Sequence, residues 1–349
     1  MIGKLALVLL VAFLGWCYQA VQPPPPKICG SPNGPPVTSQ RVRLSDGRHL
    51  AYKESGVPKD KATYKIVVAH GWTGSKASTI PVSKELGEEL GVYFLSFDRA
   101  GYGESDPYPG RSVKSEAFDI EQLADGLGLG DRFYVLGVSM GGYPVYACLK
   151  YIPHRLAGAA LIVPVINYWW PSLPSNLSKE AFQRKLVSDQ WMFRIAHYAP
   201  SLLNWWMTQK WFVSSDILAG NPEVYGLHDR EIIESIKNSK SGVDRRMATQ
   251  QGDFESLYRD LMVGFGNWDF DPLDLDNPFP DNKASVHLWQ GYEDKLVPCS
   301  LQRYVAKNLP WIKYHEIPHG GHLFVLKEKY SNLITRALLL GEETSTAHA

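Results

Sequence analysis

Short apolar segments alternate with helical segments along most of this chain, and this alternation constrains the fold more than any other feature. The apolar segments are each long enough for one strand and lie at residues 65–69, 92–97, 133–136, 156–165, 286–290 and 313–317. Segments with helical spacing lie between or after them, at residues 81–90, 115–127, 143–151 and 323–340. Buried strands that alternate with helices form a mostly parallel sheet with helices on both faces. Functional groups of such a sheet lie at the carboxyl ends of its strands.

The alternation is interrupted once. Between residues 166 and 285 no strand pattern occurs, and the segments there favour helices. We predict that residues 166–285 form a helical cap inserted into one α/β core, which is made of residues 41–165 and 286–341. The last residues, 342–349, are predicted to form a disordered tail.

The chain begins with an apolar segment. Residues 5–21 carry no charge and would extend about 25 Å as a helix, just enough to cross the hydrocarbon core of a bilayer. We predict that residues 1–22 form a single-pass membrane anchor, which places the protein in the endoplasmic reticulum or the secretory pathway. The alternative is a cleaved signal peptide and a secreted protein. The prolines of residues 23–40 predict a semi-rigid extended linker to the globular body.

The charge balance argues against a nucleic-acid partner. Lys plus Arg and Asp plus Glu both number 36, so the net charge provides no general attraction for nucleic acid. The four cysteines lack the spacing of a disulfide framework or a zinc site, and the acidic residues 268–275 lack the glycine and distal glutamate of a calcium loop. We therefore expect neither a metal nor a cofactor. Asn176 begins a glycosylation sequon, which is usable only in the secretory lumen.

The segment Gly137-Val-Ser139-Met-Gly141 matches the pattern G-x-S-x-G, with an apolar strand before it and a helix after it. Because Gly137 and Gly141 lack side chains, the backbone can turn sharply and hold Ser139 at the tip of the strand with its hydroxyl exposed. This context predicts that Ser139 is a nucleophile.

A serine hydroxyl is a poor nucleophile at neutral pH, so it needs a base within hydrogen-bonding reach and an acid that orients the base. Candidates for both follow the last two predicted strands, where Asp294 ends Gly-Tyr-Glu-Asp and His322 ends Pro-His-Gly-Gly-His. We expect Ser139, Asp294 and His322 to meet at one edge of the sheet.

With these motifs the chain resembles the α/β-hydrolase superfamily over residues 41–340, apart from the insertion, and shares its order Ser, Asp, His. The resemblance implies the α/β-hydrolase fold, with a mostly parallel eight-stranded sheet, helices on both faces and a helical cap. It also implies that Asp294, in G-x-x-D-x-x-V-P, is the acid and that His322 is the base. Their neighbours Glu293, expected to be a solvated loop residue, and His319, expected to lie in a turn or at the rim, are rejected for these roles. An exchange of roles is the alternative.

Acyl transfer develops negative charge on an oxygen, and each backbone N–H donor can stabilise that charge by about 3 to 4 kcal/mol. The resemblance implies that the donors are the amides of Met140, which follows the nucleophile, and of Trp72, in a His-Gly-X loop. We expect His70 to brace this loop. Residues 98–105 match the family's D-x-x-G-x-G-x-S turn, whose role is structural.

The predicted cap is rich in tryptophan, and most of these side chains are expected to pack its helices against each other. Trp169 and Trp170, together with the indole of Trp72, are candidates for the substrate pocket. Aromatic side chains that face a pocket favour a hydrophobic acyl or aromatic substrate.

The sequence therefore predicts a serine hydrolase, similar to esterases and lipases, that cleaves a carboxylic ester of a hydrophobic substrate through an acyl-enzyme on Ser139. Acyltransferases and C–C hydrolases share the same triad. Epoxide hydrolases resemble the chain including its cap, but they attack with a carboxylate where this chain has Ser139. A ligand receptor built on a hydrolase scaffold is the alternative from another class.

The leader and the body together also resemble a plant group of membrane-anchored α/β-hydrolases. The segments that carry this narrower resemblance are PPPPKICGSPNGPPV, SDGRHLAYKE and HGWTGSK. It bears on location more than on chemistry.

Overall fold

The computed structural model describes residues 2–239, 245–281 and 284–342. Its strands, in chain order, are β1 (Arg41–Arg43), β2 (His49–Gly56), β3 (Tyr64–Ala69), β4 (Val92–Phe97), β5 (Phe133–Val138), β6 (Leu156–Ile162), β7 (Val286–Gly291) and β8 (Ile312–Ile317). Within the described residues they form one eight-stranded sheet in the order β1-β2-β4-β3-β5-β6-β7-β8. Strand β2 pairs antiparallel with β1 and β4, and every later pairing is parallel. The predicted fold class is confirmed.

The described helices follow one another along the chain from α1 to α13. They are α1 (Ile2–Val21), α2 (Lys84–Leu90), α3 (Val113–Gly126), α4 (Gly142–Tyr151), α5 (Ser175–Gln183), α6 (Val187–Tyr198), α7 (Leu203–Thr208), α8 (Asp216–Ala219), α9 (Leu227–Ser239), α10 (Arg245–Ala248), α11 (Arg259–Phe265), α12 (Cys299–Asn308) and α13 (Glu328–Leu340). Apart from Glu342, the predicted tail at residues 342–349 lies outside the described residues.

Apolar side chains cover the sheet on both faces. On one face they come from α3, α4 and α12, for example Ile120, Val145 and Leu301. On the other face α13 contributes Ile334 and Leu338. Burial of one such side chain stabilises the fold by about 1.5–3 kcal/mol. Because both faces are covered, the central strands are apolar along their whole length, and this made them visible in the sequence.

The stretch predicted as the cap, residues 166–285, contains α5 to α11 in its described part. A π-helical turn, Phe254–Tyr258, continues directly into α11. Helix α11 packs tightly on the core, since a Cβ added to Gly264 would lie 3.1 Å from the Met140 side chain and 3.2 Å from that of Tyr143. The last helix of this stretch is therefore packed against the helix that follows Ser139.

A buried ionic cluster, made of Arg99, Arg111, Glu116, Tyr143 and Asp260, joins α11 to the core. Arg99 donates two hydrogen bonds of 2.7 and 2.6 Å to the Asp260 carboxylate, and Arg111 donates one of 2.6 Å. Arg111 also donates to Glu116 at 2.6 Å, and the Tyr143 hydroxyl donates to Asp260. Burial alone would raise the pKa of Asp260, but the two guanidinium groups outweigh it and lower that pKa.

Hydrogen bonds hold the predicted linker, residues 23–40, to the globular body, beginning with the Lys27 backbone N–H, which donates to the Gln251 carbonyl at 3.0 Å. The backbone N–H and hydroxyl of Thr38 donate to the buried Glu104 carboxylate at 2.7 and 2.6 Å, and those of Ser39 do so at 2.9 Å each. Burial would raise the pKa of Glu104, but these hydrogen bonds outweigh it and lower the pKa to about 2. Cys29 is also buried, with 4% of its surface exposed.

Helix α1 is long and apolar enough over Gly3–Val21 to cross a membrane, and none of that stretch is buried. A membrane anchor and a signal peptide share these properties, so the choice between them stays a prediction. The residue after the helix contacts the body, since the Asn204 side-chain amide of α7 donates to the Gln22 carbonyl at 3.3 Å.

Candidate active site

Ser139 lies at a sharp turn between β5 and α4. Its backbone φ is +54°, a left-handed conformation that costs free energy for a residue with a side chain. The turn is possible because two glycines flank the serine closely. A Cβ on Gly137 would lie 2.0 Å from the Gly141 carbonyl oxygen, and one on Gly141 would lie 2.1 Å from the Ala69 carbonyl oxygen. The structure thus places Ser139 at a strand-turn-helix elbow.

The three side chains singled out in the sequence lie in one hydrogen-bonded line. His322, in the loop after β8, has its Nε2 2.9 Å from the Ser139 Oγ. Its Nδ1 lies 2.8 Å from Oδ2 of Asp294, in the loop after β7. Both loops leave the carboxyl ends of neighbouring parallel strands.

Asp294 accepts hydrogen bonds on both carboxylate oxygens. Its Oδ1 receives the backbone N–H groups of Leu296 and Val297, both at 2.8 Å. Its Oδ2 receives the Gln290 amide at 3.1 Å in addition to the His322 ring. Every partner is a donor, so the site suits an ionised carboxylate.

The rejected neighbours of these residues lie on the protein surface. Glu293 contacts Nδ1 of His228 at 2.9 Å and Nδ1 of His319 at 3.9 Å. The His319 side chain is 72% exposed. Neither Glu293 nor His319 therefore takes part in the line that includes Ser139.

The charge around His322 favours its protonated form. Burial alone would lower the pKa of this imidazole, but the carboxylates of Asp294 and Asp229 outweigh burial and the repulsion of Lys185. The pKa of His322 is consequently above its ordinary value of 6.5.

Two residues of the predicted cap hold the loops that carry Asp294 and His322. Sequence reasoning missed both. Asp229, on α9, is fully buried and accepts the backbone N–H groups of His322 at 2.9 Å and Leu323 at 2.8 Å. Lys185 donates to the carbonyl of Lys295 at 2.7 Å, next to Asp294, and burial lowers its pKa to about 8. Neither residue belongs to a motif, so the sequence contains no signal for either contact.

The loop after β3 lies beside Ser139. A Cβ on Gly71 would be 3.1 Å from the Ser139 Cβ, so the loop approaches as closely as glycine permits. His70 is buried, donates through Nδ1 to the Gly71 carbonyl at 2.8 Å and accepts the Arg99 backbone N–H on Nε2 at 3.2 Å. Burial lowers the pKa of His70 well below its ordinary value. A neutral His70 therefore braces the loop.

A cavity of about 730 Å³ opens beside Ser139 and His322. Trp72 lines it, and its indole N–H donates to the Leu257 carbonyl of the π-helical turn at 3.1 Å. Most of the other lining side chains are apolar, and they include Ile80, Val138, Val165, Ile166, Phe193, Ile217, Leu218, Leu261, Phe265, Val297 and Leu326.

The prediction that Trp169 and Trp170 line the pocket needs correction. Of the described residues, those that line the cavity include neither of them. Trp170 is buried against Tyr146 and Trp268, with ring centroids 5.7 and 5.2 Å apart. Trp169 stacks on His197 at 4.2 Å. Trp169 packs within the cap, and Trp170 packs between the cap and the core helix α4.

Within residues 2–239, 245–281 and 284–342, no group of three or more His, Cys, Asp or Glu side chains is placed to hold a metal ion.

The strand order and the serine at a strand-turn-helix elbow are those of the α/β-hydrolases. Residues 66–330 match the sequence model of the Alpha/beta hydrolase family, and the chain belongs to that family. The narrower resemblance to plant membrane-anchored hydrolases stays a prediction.

Individual proteins show the same relationship. The chain is 23% identical over 266 residues to the pimeloyl-[acyl-carrier protein] methyl ester esterase of Pseudoalteromonas atlantica, covering 74% of this chain and 86% of that protein. A thermophilic esterase from Thermogutta terrifontis superposes with a TM-score of 0.57 at 21% identity, covering 87% and 99% of the two chains. The enol-lactonase of Burkholderia xenovorans superposes with a TM-score of 0.59 at 15% identity, covering 86% and 100%.

At these identities the two superpositions show the fold alone. The family and the sequence relative support a hydrolase of the α/β-hydrolase class.

Proposed function

We propose that this protein is a serine hydrolase that cleaves a carboxylic ester of an apolar substrate through an acyl-enzyme on Ser139. The observation that carries the proposal is the continuous line from the Ser139 hydroxyl through His322 to Asp294, beside a largely apolar cavity. The esterase among the sequence relatives supports the choice of an ester.

In this mechanism the Ser139 Oγ attacks the ester carbonyl carbon while Nε2 of His322 takes the hydroxyl proton. Asp294 holds the ring through Nδ1 and stabilises the imidazolium. The imidazolium then gives its proton to the leaving alcohol as the C–O bond breaks. Water, deprotonated in turn by His322, releases the acid and restores the serine.

The backbone amides of Trp72 and Met140 are the proposed donors to the oxyanion. Met140 lies in the first turn after the nucleophile, where the amides at the start of a helix have no partner within the helix. The close approach of the Gly71 loop to Ser139 supports Trp72 as the second donor. Each donor is worth roughly 3 to 4 kcal/mol in the transition state.

A fluorophosphonate probe tests the nucleophile, because the serine oxygen displaces fluoride from phosphorus only when the base is in place. We expect the wild-type protein to be labelled and the Ser139→Ala and His322→Ala variants to remain unlabelled. His319→Ala is the matched control and should be labelled like the wild type. Labelling that survives in Ser139→Ala would overturn the proposal.

The apolar cavity predicts a preference for longer acyl chains. Each buried methylene is worth about 0.8 kcal/mol, so kcat/KM should rise up to about fourfold per methylene until the cavity is filled. The measurement is a series of p-nitrophenyl esters below their micelle concentrations. A profile that does not change with chain length would contradict the apolar substrate.

The pH dependence of activity should report His322, which must be neutral to accept the proton of Ser139. Since Asp229 and Asp294 raise the pKa of His322, kcat/KM should fall as the pH drops through a value above 6.5. In Asp229→Asn one of the two raising charges is gone, so this acid limb should move to lower pH. Glu293→Gln is the control and should leave the limb in place. A limb that stays or moves upward in Asp229→Asn would contradict this assignment.

We also propose that α1 anchors the protein in a membrane, since it is of spanning length and unburied.

A further inference from the structure

An ordered part of the cap presents apolar side chains to solvent. We define the cap apolar patch as Trp191, Leu202, Trp211, Phe212 and Val213, all of which are exposed. Trp211 is the extreme case, with 79% of its surface exposed. Large apolar side chains exposed close together are typical of a surface that binds a protein, a ligand or a membrane.

The segment that carries the patch is held by specific hydrogen bonds. The Gln209 side-chain oxygen accepts the backbone N–H groups of Trp211 at 2.7 Å and Phe212 at 3.2 Å, and its amide donates to the Phe212 carbonyl at 2.9 Å. Ring contacts join the patch to α7, between Trp211 and Trp205 at 6.1 Å and between Phe212 and Trp206 at 4.8 Å. The fold therefore holds these rings outward.

The patch lies next to the end of α1. Helix α7, which carries Trp205 and Trp206, is the element whose Asn204 binds the carbonyl of Gln22, the residue after α1. Six helical residues span about 9 Å, so the far end of α7 lies on the order of 10 Å from that contact. If α1 spans a bilayer, Gln22 lies at its surface and the patch lies near the same plane.

The chemistry of the patch suits a lipid surface. Tryptophan and phenylalanine enter the boundary between headgroups and acyl chains, where the indole N–H can stay solvated. The exposed Lys210 directly precedes Trp211 and can meet lipid phosphates. We propose that the cap apolar patch inserts into the surface of the bilayer that α1 spans.

This placement has a consequence for the substrate, and that consequence rests on the proposed function. Ile217 and Leu218, shortly after Val213 in the chain, line the cavity beside Ser139. The segment that contacts the lipid thus continues into the cavity wall. Apolar esters dissolved in the bilayer are the substrate class that this arrangement serves.

The test uses the full chain in phosphatidylcholine vesicles with one environment-sensitive fluorophore per protein. Cys17 and Cys299 are first replaced by Ser, since Cys29 and Cys148 are buried. The fluorophore is then attached through Trp211→Cys, Leu10→Cys in α1, or Phe118→Cys on core helix α3, where Phe118 is 37% exposed. Spin-labelled lipid is the quencher. Retained fluorophosphonate labelling shows that each variant is folded.

We expect lipid quenching of at least twofold at positions 10 and 211 and none at position 118. Quenching at position 10 alone would overturn the patch proposal and leave the anchor intact. Quenching at neither position would overturn the anchor and the patch together. Blue-shifted emission at position 211 without lipid quenching would show that a second copy or another protein covers the patch. Loss of fluorophosphonate labelling in the parent chain would instead count against the proposed hydrolase.

Discussion

The Asp294→Asn variant is expected to lose about 10⁴-fold in kcat while it keeps its fold, an effect of the size that this change has in serine proteases. The reason lies in the four donors around the carboxylate. The asparagine oxygen will face the Leu296 and Val297 amides, because an NH₂ group there would oppose two N–H donors. Its NH₂ group then faces Nδ1 of His322.

An amide donor at this position reverses the tautomer of His322. Nδ1 must accept a hydrogen bond, so the ring proton moves to Nε2, which lies 2.9 Å from the Ser139 oxygen. A ring with its proton on Nε2 has no lone pair there to take the serine proton. The geometry survives, but the base is lost.

Two measurements check this result. The first is kcat with a p-nitrophenyl ester, and the second is the ¹⁵N chemical shift of the His322 ring nitrogens, which distinguishes the tautomers. Glu293→Gln changes the neighbouring carboxylate in the same way and should leave both measurements near the wild type. If Asp294→Asn retained more than a tenth of the activity, Asp294 would not be the orienting acid.

The Asp260→Asn variant is expected to lower the free energy of unfolding by about 3–5 kcal/mol. Asp260 is the acceptor for the guanidinium groups of Arg99 and Arg111, all three side chains being fully buried. Without the Asp260 charge, the two buried guanidinium groups keep Glu116 as their shared carboxylate among the described residues. The cost is the desolvation of charges that have lost their partner.

Equilibrium urea unfolding measures this loss as a lower midpoint. Glu89→Gln is the matched control, since it removes one carboxylate from an exposed pair with Arg336 and should cost less than about 1 kcal/mol. Equal midpoints for the two variants would mean that the buried cluster contributes no more than a surface ion pair. Loss of stability should also loosen α11 from the helix after Ser139.

Periodicity predicted the core of this fold because strands covered on both faces are apolar throughout. The segment 92–97 is β4 to the residue, and the segment 133–136 is β5 without its last two positions. The boundaries of helices were harder, as the last helix begins at Glu328 instead of residue 323 because a 3₁₀ turn precedes it.

Contacts between distant residues without a motif could not be predicted. Asp229 meets the His322 loop across 93 positions, and nothing in an amphipathic helix marks one of its acids as buried. The prediction that Trp169 and Trp170 line the pocket was wrong for a related reason. Which ring of a tryptophan-rich segment faces a cavity depends on how the cap helices pack, and composition does not determine that packing.

Thr38 and Ser39 are bonded to Glu104, and Cys29 is buried. Few residues are therefore left unattached between α1 and the body. The Lys27 backbone N–H also donates to the Gln251 carbonyl at 3.0 Å, so only residues 23–26 lie between this bond and the Gln22 contact, about 12 Å when fully extended as polyproline. With so short a connection, the globular body cannot reorient freely relative to α1 or move far from it. If α1 enters a membrane, the globular body therefore faces that membrane with one side and in a fixed orientation.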